Sequence, residues 1–333
     1  MNQSINRFQD VHMHACAVRD WNQTYSQISA GPLESSLMQL KSTRTHVFRE
    51  RISQRVVQHG EAPKGKMCFA IPTAVSGAIR MQGREADENS IFVLRGGEEF
   101  MFHMPMGMDM LSITFDGELF ESALEATPSP GDIRTLLRQP VIKVPSKRLA
   151  QCRDQLLALF LSALAMDPLE SSGASGASGA SGAADSSNDG PDLERSLEQE
   201  MLDGLLQLLT DPTCDRNQRP GSSTQSFIVD KCHRLTVSDA ANAPSVIELC
   251  QRLQISRRTV QNSFRTVAET TPVKYLRSVR LNGVRRELMA TRASDLAIGD
   301  AAANWGFFHM SHFAADYQEL FGELPSQTRR GGR

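Results

Sequence analysis

Apolar and polar residues recur along this chain in two rhythms, and the change from one to the other divides it. Short apolar or alternating runs come first: MCFAI (67–71), IFVL (91–94), FMFH (100–103) and MLSITF (110–115). Gly65, Gly77, Gly83, Gly96, Gly97, Gly107 and Gly117 punctuate them. Strand side chains alternate between two faces, so such runs broken by glycines predict short strands in a small barrel or sandwich. RGGEE (95–99) predicts a hairpin turn. The period then lengthens. KRLAQCRDQLLALFLSALAM (147–166) is apolar at helical spacing, and DLERSLEQEMLDGLLQLL (192–209) puts Leu193, Leu197, Met201, Leu205 and Leu208 on one stripe. These helices either cover the β-rich region or form a dimer interface, and the pattern alone leaves both open.

Between them runs SSGASGASGASGAADSSNDGPD, residues 171–192. It holds too little apolar surface for a core and predicts a flexible tether or long loop, about 25 Å from end to end. After a second polar break at 211–223 the pattern is helical. The expected organisation is α+β. A β-rich domain covers 1–146, a helical region interrupted by the 171–192 linker covers 147–210, and an all-α domain covers 224–333.

Within that last part, SVIELCQRLQISRRTVQNSF (245–264) reads as two short helices around a tight turn. Val246, Leu249 and Leu253 point inward from the first, and small Cys250 lets the second helix cross closely. Ser256 is placed to accept backbone N–H groups at the start of the second helix. Val260 and Phe264 point inward from it. Arg257, Arg258, Thr259, Gln261, Asn262 and Arg265 are left outside. This predicts a helix-turn-helix whose second helix enters the DNA major groove, with Arg suited to guanine and Gln or Asn to adenine.

The stretch AIGDAAANWGFFHMSHFAADYQELFGELP (297–325) repeats the arrangement. Ala302 stands where Cys250 does, Gly306 makes the turn, and Phe313, Tyr317, Leu320 and Phe321 share the inward face. His309, Ser311 and His312 fall outward or near the helix start, as DNA-facing polar groups. Gly322 is a natural left-handed cap and Pro325 stops continuation. VKYLRSVRLNGVRREL (273–288) joins the motifs, with Leu281, Val284 and Leu288 inward and its arginines outward. Arg277 and Arg285 are thereby candidates for phosphate contacts.

Charge sharpens this reading. The chain of 333 residues carries a net charge of only −2, yet residues 250–292 hold ten Arg/Lys against two acids. Residues 293–323 hold five acids and no Arg/Lys. A concentrated basic segment is the footprint of a polyanion partner, here double-stranded DNA, with the first reader supplying most of the affinity. The 40 % hydrophobic content supports two cores. No apolar run is long enough to span a bilayer, and MNQSINRFQD lacks a signal-peptide core. Six scattered cysteines form no CxxC pair and fit free thiols in a reducing compartment, so a cytoplasmic protein is expected. His309 and His312 lack a further obvious metal ligand. His12-x-His14 is placed before the strands with no later partner, and His103 reads as a buried, hydrogen-bonded histidine. No catalytic motif is present, so neither enzyme activity nor a cofactor is expected.

The C-terminal pattern resembles the DNA-binding domain of the AraC/XylS family of bacterial transcription regulators over about 227–330. The marks are Ser256, Pro272-x-x-Tyr275-Leu276, Arg280-Leu281, Arg285-Arg286-x-Leu288, Gly306-Phe307 and Phe313-x-x-x-Tyr317-x-x-x-Phe321-Gly322-x-x-Pro325. Gln254 and Glu269 depart from it, standing where the family turns on glycine. The variant GFFHMSHFAADYQELFGELPS is similar to the branch containing the ethanolamine-operon activator. The resemblance implies a cupin-like N-terminal sensor domain for a small-molecule effector, a homodimer, RNA polymerase as partner, and an activator. Two alternatives stand beside it: a cupin-like metal enzyme fused to a DNA-binding module, and a co-regulator with only non-specific DNA affinity.

Overall fold

The computed structural model describes residues 1–165, 189–211, 213–214 and 224–330. The N-terminal unit contains twelve strands: β1 (Asn2–Phe8), β2 (Asn22–Gln27), β3 (Ser35–Lys41), β4 (Thr45–Ile52), β5 (Val56–Glu61), β6 (Lys66–Ala74), β7 (Ile79–Met81), β8 (Arg84–Ala86), β9 (Ser90–Arg95), β10 (Glu99–Met104), β11 (Met108–Asp116) and β12 (Val141–Lys143). Helix α1 (Val11–Ala17) follows β1, and α2 (Gly117–Glu125), α3 (Pro130–Leu136), α4 (Ser146–Ala165) and α5 (Asp189–Leu209) come later. The C-terminal unit holds α6 (Thr224–Ser238), α7 (Val246–Leu253), α8 (Arg257–Ala268), α9 (Pro272–Ala290), α10 (Ile298–Asn304) and α11 (Met310–Phe321). A β-rich unit followed by a helical one is thus the architecture the pattern predicted.

The strands form two sheets whose neighbouring pairs are antiparallel, in the orders β1-β3-β4-β11-β6-β9-β12 and β2-β5-β10-β7-β8. Alternation sets the layers. On β11, Met108 and Met110 enter the core between the sheets, while Leu111, Ile113 and Phe115 face the helices α2 to α5. Both faces are covered, which is why MLSITF is almost continuously apolar. On β10, Phe100, Phe102 and Met104 point between the sheets, while Met101 belongs to a core shared with α6, α7, α8 and α9. The layers therefore run helices, seven-stranded sheet, five-stranded sheet, helical unit.

Several sequence expectations are corrected here. Only four of the twelve strands were anticipated; THVFRERI in β4 and VVQHGE in β5 are too polar to announce themselves by alternation. RGGEE is a turn, closed by the Glu98 N–H donating to the Arg95 carbonyl at 3.0 Å, but β9 and β10 belong to different sheets and form no hairpin. His12 and His14 lie in α1, after β1 rather than before the strands. His14 is buried and hydrogen-bonded to Ser35 (2.9 Å) and Glu50 (3.2 Å). Most of the 171–192 stretch lies outside the described residues, as do the Leu193 side chain and most of 211–223; residues 189–192 already belong to α5. The flanking helices α4 and α5 bury Leu156, Phe160, Met201 and Leu205 in one core on the seven-stranded sheet. These four residues thus cover that sheet.

Candidate nucleic-acid interface

The first reader is built by capping and a turn. Ser245 and Glu248 form a capping box that starts α7. Gln254 ends it in the left-handed conformation at φ 53°, and Ile255 closes the turn by donating its N–H to the Cys250 carbonyl at 3.0 Å. Ser256 then caps α8, accepting the Thr259 N–H at 3.0 Å. Val260, Phe264, Val267 and Ala268 are buried. Arg257, Arg258, Thr259, Gln261, Asn262 and Arg265 are all exposed, and the three arginines enter no ion pair among the described residues. Their charges are free for an external partner.

From its N-cap onward, α11 follows α8 position by position. Both α8 and α11 run twelve residues. Each buries an apolar side chain four, eight and twelve residues beyond its N-cap: Val260, Phe264 and Ala268 after Ser256; Phe313, Tyr317 and Phe321 after His309. Each ends in a left-handed cap, Glu269 at φ 50° and Gly322 at φ 76°. In this register Met310 occupies the place of Arg257, Ser311 that of Arg258, His312 that of Thr259, Ala315 that of Asn262 and Gln318 that of Arg265. His309, Ser311 and His312 are exposed as expected, with the two histidine rings 6.4 Å apart. Asp316, the nearest acid in sequence, instead binds Arg277 at 3.0 Å. No group of three or more metal-ligating side chains occurs among the described residues.

Helix α9 connects the readers, and its arginines do not behave as expected. Arg277 alone is exposed. Arg280 stacks 4.5 Å from the Phe307 ring centroid, and Arg286 stands 5.8 Å from that of Trp305. Burial lowers the basicity of both, Arg277 adding to the effect at Arg280. Arg285 is only 8 % exposed. It donates to Asp10, to Glu323 at 2.7 Å and to the Tyr317 hydroxyl at 3.2 Å. Burial works against its charge, but Tyr317, Asp10 and Glu323 outweigh that and raise its pKa. Arg285 is therefore a structural clamp and is withdrawn as a phosphate contact; the outward placement of the α9 arginines holds only for Arg277.

The same helix docks the C-terminal unit onto the five-stranded sheet. Asn282 accepts the Gln27 N–H at 2.9 Å and donates to the Gln27 carbonyl at 2.8 Å, as a neighbouring strand would. Gln27 also donates to the Leu320 carbonyl at 2.8 Å. Arg80 donates to the Thr266 carbonyl at 3.1 Å, and Arg55 reaches the Ala268 carbonyl at 3.1 Å and the Glu269 carboxylate. The Tyr275 hydroxyl sits between His103 (3.3 Å) and His233 (3.2 Å). His103 is thus the buried, hydrogen-bonded histidine expected, although its partner across the interface could not be anticipated. Sequence reasoning missed Gln27, Asn282 and the clamp at Arg285; a polar residue on the inward face of α9 was the available signal for Asn282.

Residues 249–331 match the family model described as a helix-turn-helix domain. The chain is 37 % identical over 86 residues to the XylDLEGF operon transcriptional activator of Pseudomonas putida, covering 26 % of this chain and 27 % of that protein. This region is a helix-turn-helix domain of the AraC/XylS type. The domain is also 29 % identical over 86 residues to the probable thc operon regulatory protein of Rhodococcus erythropolis, covering 26 % of each chain. The match thus spans about a quarter of these relatives' length. Over 92 % of the chain, the fold can be laid on all of the crystal structure of the AraC-like transcriptional activator CuxR with 10 % identity and a TM-score of 0.43. These relatives do not carry the finer placement in the ethanolamine-operon branch.

Proposed function

We propose that the chain is a ligand-responsive, sequence-specific DNA-binding transcription activator that reads two successive major-groove segments, α8 in one and α11 in the next. The observation that carries this is the outward face of α8. Three unpaired arginines, Gln261 and Asn262 stand together on a helix fixed by a turn and by Phe264 in the core. That is the donor set for reading guanine and adenine edges. The rigid α9 holds a second helix in the same register, so the operator should contain two elements about one DNA turn apart.

The β-rich unit would hold a small-molecule effector. A narrow cleft with room for about 30 Å³ lies between its sheets, lined by Trp21, Phe48, Phe100, Phe102, Glu50 and Gln58 among others, and would have to widen to admit an effector. The Trp21 indole N–H is buried there without a hydrogen-bond partner among the described residues. Occupancy would alter the five-stranded sheet, whose outer face carries His103 and Met101 against the reader domain, and would shift the population of docked conformers. The regulator would act in the cytoplasm as a homodimer contacting RNA polymerase, with no catalytic activity of its own.

The test is selection of binders from a random duplex DNA library by the full-length protein, followed by titration at several salt concentrations. A shared motif with two elements about ten base pairs apart supports the reading. Arg258→Ala or Gln261→Ala should then cost about 1–3 kcal/mol and relax the preference at one position. No enrichment, with a steep salt dependence, would leave only non-specific phosphate binding and favour the co-regulator alternative.

A further inference from the structure

The two readers share a register but not a chemistry. Where α8 offers Arg257, Asn262 and Arg265, α11 offers Met310, Ala315 and Gln318 at the equivalent places. The turn before α11 adds Phe308, which is 72 % exposed, the most exposed large apolar side chain among the described residues; Met310 is 43 % exposed. Neither packs in a core, and the segment 293–323 contains no Lys or Arg. The buried faces of both helices are occupied in the same way, by Val260 and Phe264 or by Phe313 and Tyr317. The contrast is therefore confined to the side presented outward.

We infer that the second reader recognises thymine 5-methyl groups, with Phe308 and Met310 as the specificity-determining side chains and Ala315 allowing close approach. The inference rests on the DNA-reading function proposed above. In the major groove the methyl group is the one apolar feature on a base edge, and apolar side chains are its complement. A helix without cations makes its contribution by burying apolar surface, which depends little on salt, whereas α8 with three unpaired arginines works largely by displacing counterions. The operator should accordingly be asymmetric in character, with a guanine- or adenine-bearing element under α8 and a thymine-bearing one under α11.

The experiment uses the full-length protein and the operator recovered by selection. Each thymine is replaced in turn by deoxyuridine, which lacks only the methyl group, and affinities are measured. Replacement at the thymines under α11 should weaken binding about fourfold per methyl lost. In the Phe308→Ala and Met310→Ala variants, thymine and deoxyuridine operators should bind alike at those positions, while penalties in the other element are unchanged. Both side chains are exposed, and a circular dichroism melt checks that folding is preserved. If no operator is enriched, the DNA-reading function itself fails and this inference falls with it. If an operator is found but deoxyuridine costs nothing under α11, or the variants keep the full penalty, the inference alone is overturned. Unchanged DNA binding with lost transcription in a purified polymerase assay would also overturn it, reassigning Phe308 to a protein contact.

Discussion

Replacing Arg285 by Met separates a buried clamp from a DNA contact. The guanidinium joins three parts of the molecule: Asp10 at the start of α1, Glu323 just beyond α11, and the Tyr317 hydroxyl inside the second motif. Its plane also lies 4.6 Å from the Phe321 ring centroid. Methionine keeps much of the stem packing but leaves the Asp10 carboxylate, on a residue only 8 % exposed, without its counter-charge. Removing one member of a buried pair costs about 3–5 kcal/mol, because the remaining charge is left desolvated. The Glu323 side chain is 32 % exposed and can turn to water, so the lower end, about 3 kcal/mol, is expected here. The assay is urea unfolding followed by circular dichroism, with a thermal scan in which the midpoint should fall by about 4 °C. Asp10→Asn in the Arg285→Met background should recover a large part of the loss, since asparagine still caps α1 but carries no charge. A loss below about 1 kcal/mol, together with DNA affinity that drops evenly on all sequences and depends less steeply on salt, would refute the clamp and restore Arg285 as a phosphate contact.

Three further outcomes are expected. His103 and His233 are held at a pKa of about 3, in both cases chiefly by burial; Arg80 and Arg55 add to it at His103, and His59, His103, Arg286 and Arg234 at His233. Both are neutral in the docked state, whereas the unfolded chain binds their protons near pH 6.5. Their contribution is therefore complete above pH 6.5 and is lost as pH falls from there toward 3, at up to about 1.4 kcal/mol per pH unit for each. Urea midpoints at pH 7.5, 6 and 5 should fall in that order, and His233→Gln should flatten the dependence. Gly283→Ala would put a Cβ 2.3 Å from the Trp305 ring, so a loss of about 1–3 kcal/mol is expected in the same unfolding assay. Gln254→Gly should raise stability by up to about 1 kcal/mol, because Gln254 is held at φ 53°, where glycine carries no steric penalty.

The local rules of helices were enough for the two reading helices. The outward set on α8 and the inward aromatics of α11 follow from spacing and capping, which are encoded within a few residues of one another. The charge contrast between the two readers is likewise a property of composition by region. Strand pairing is different, because most pairs join strands that are not consecutive in the chain: β11 lies between β4 and β6, and β10 between β5 and β7. A strand such as β4, with Arg49 and Arg51 on its way past Asp109, does not look buried until that neighbour is known. The same holds for the docking face. Nothing near Asn282 in sequence announces Gln27, and nothing near Arg285 announces Asp10, 275 positions away. By itself the sequence determined the helices from α4 onward and which side chains of α8 and α11 point outward, since those depend on short-range sterics and hydrogen bonding. The tertiary structure alone decided that Arg285 is a clamp rather than a phosphate contact and that His103 meets Tyr275, because burial and counter-charge come from distant residues brought together only when the two units pack.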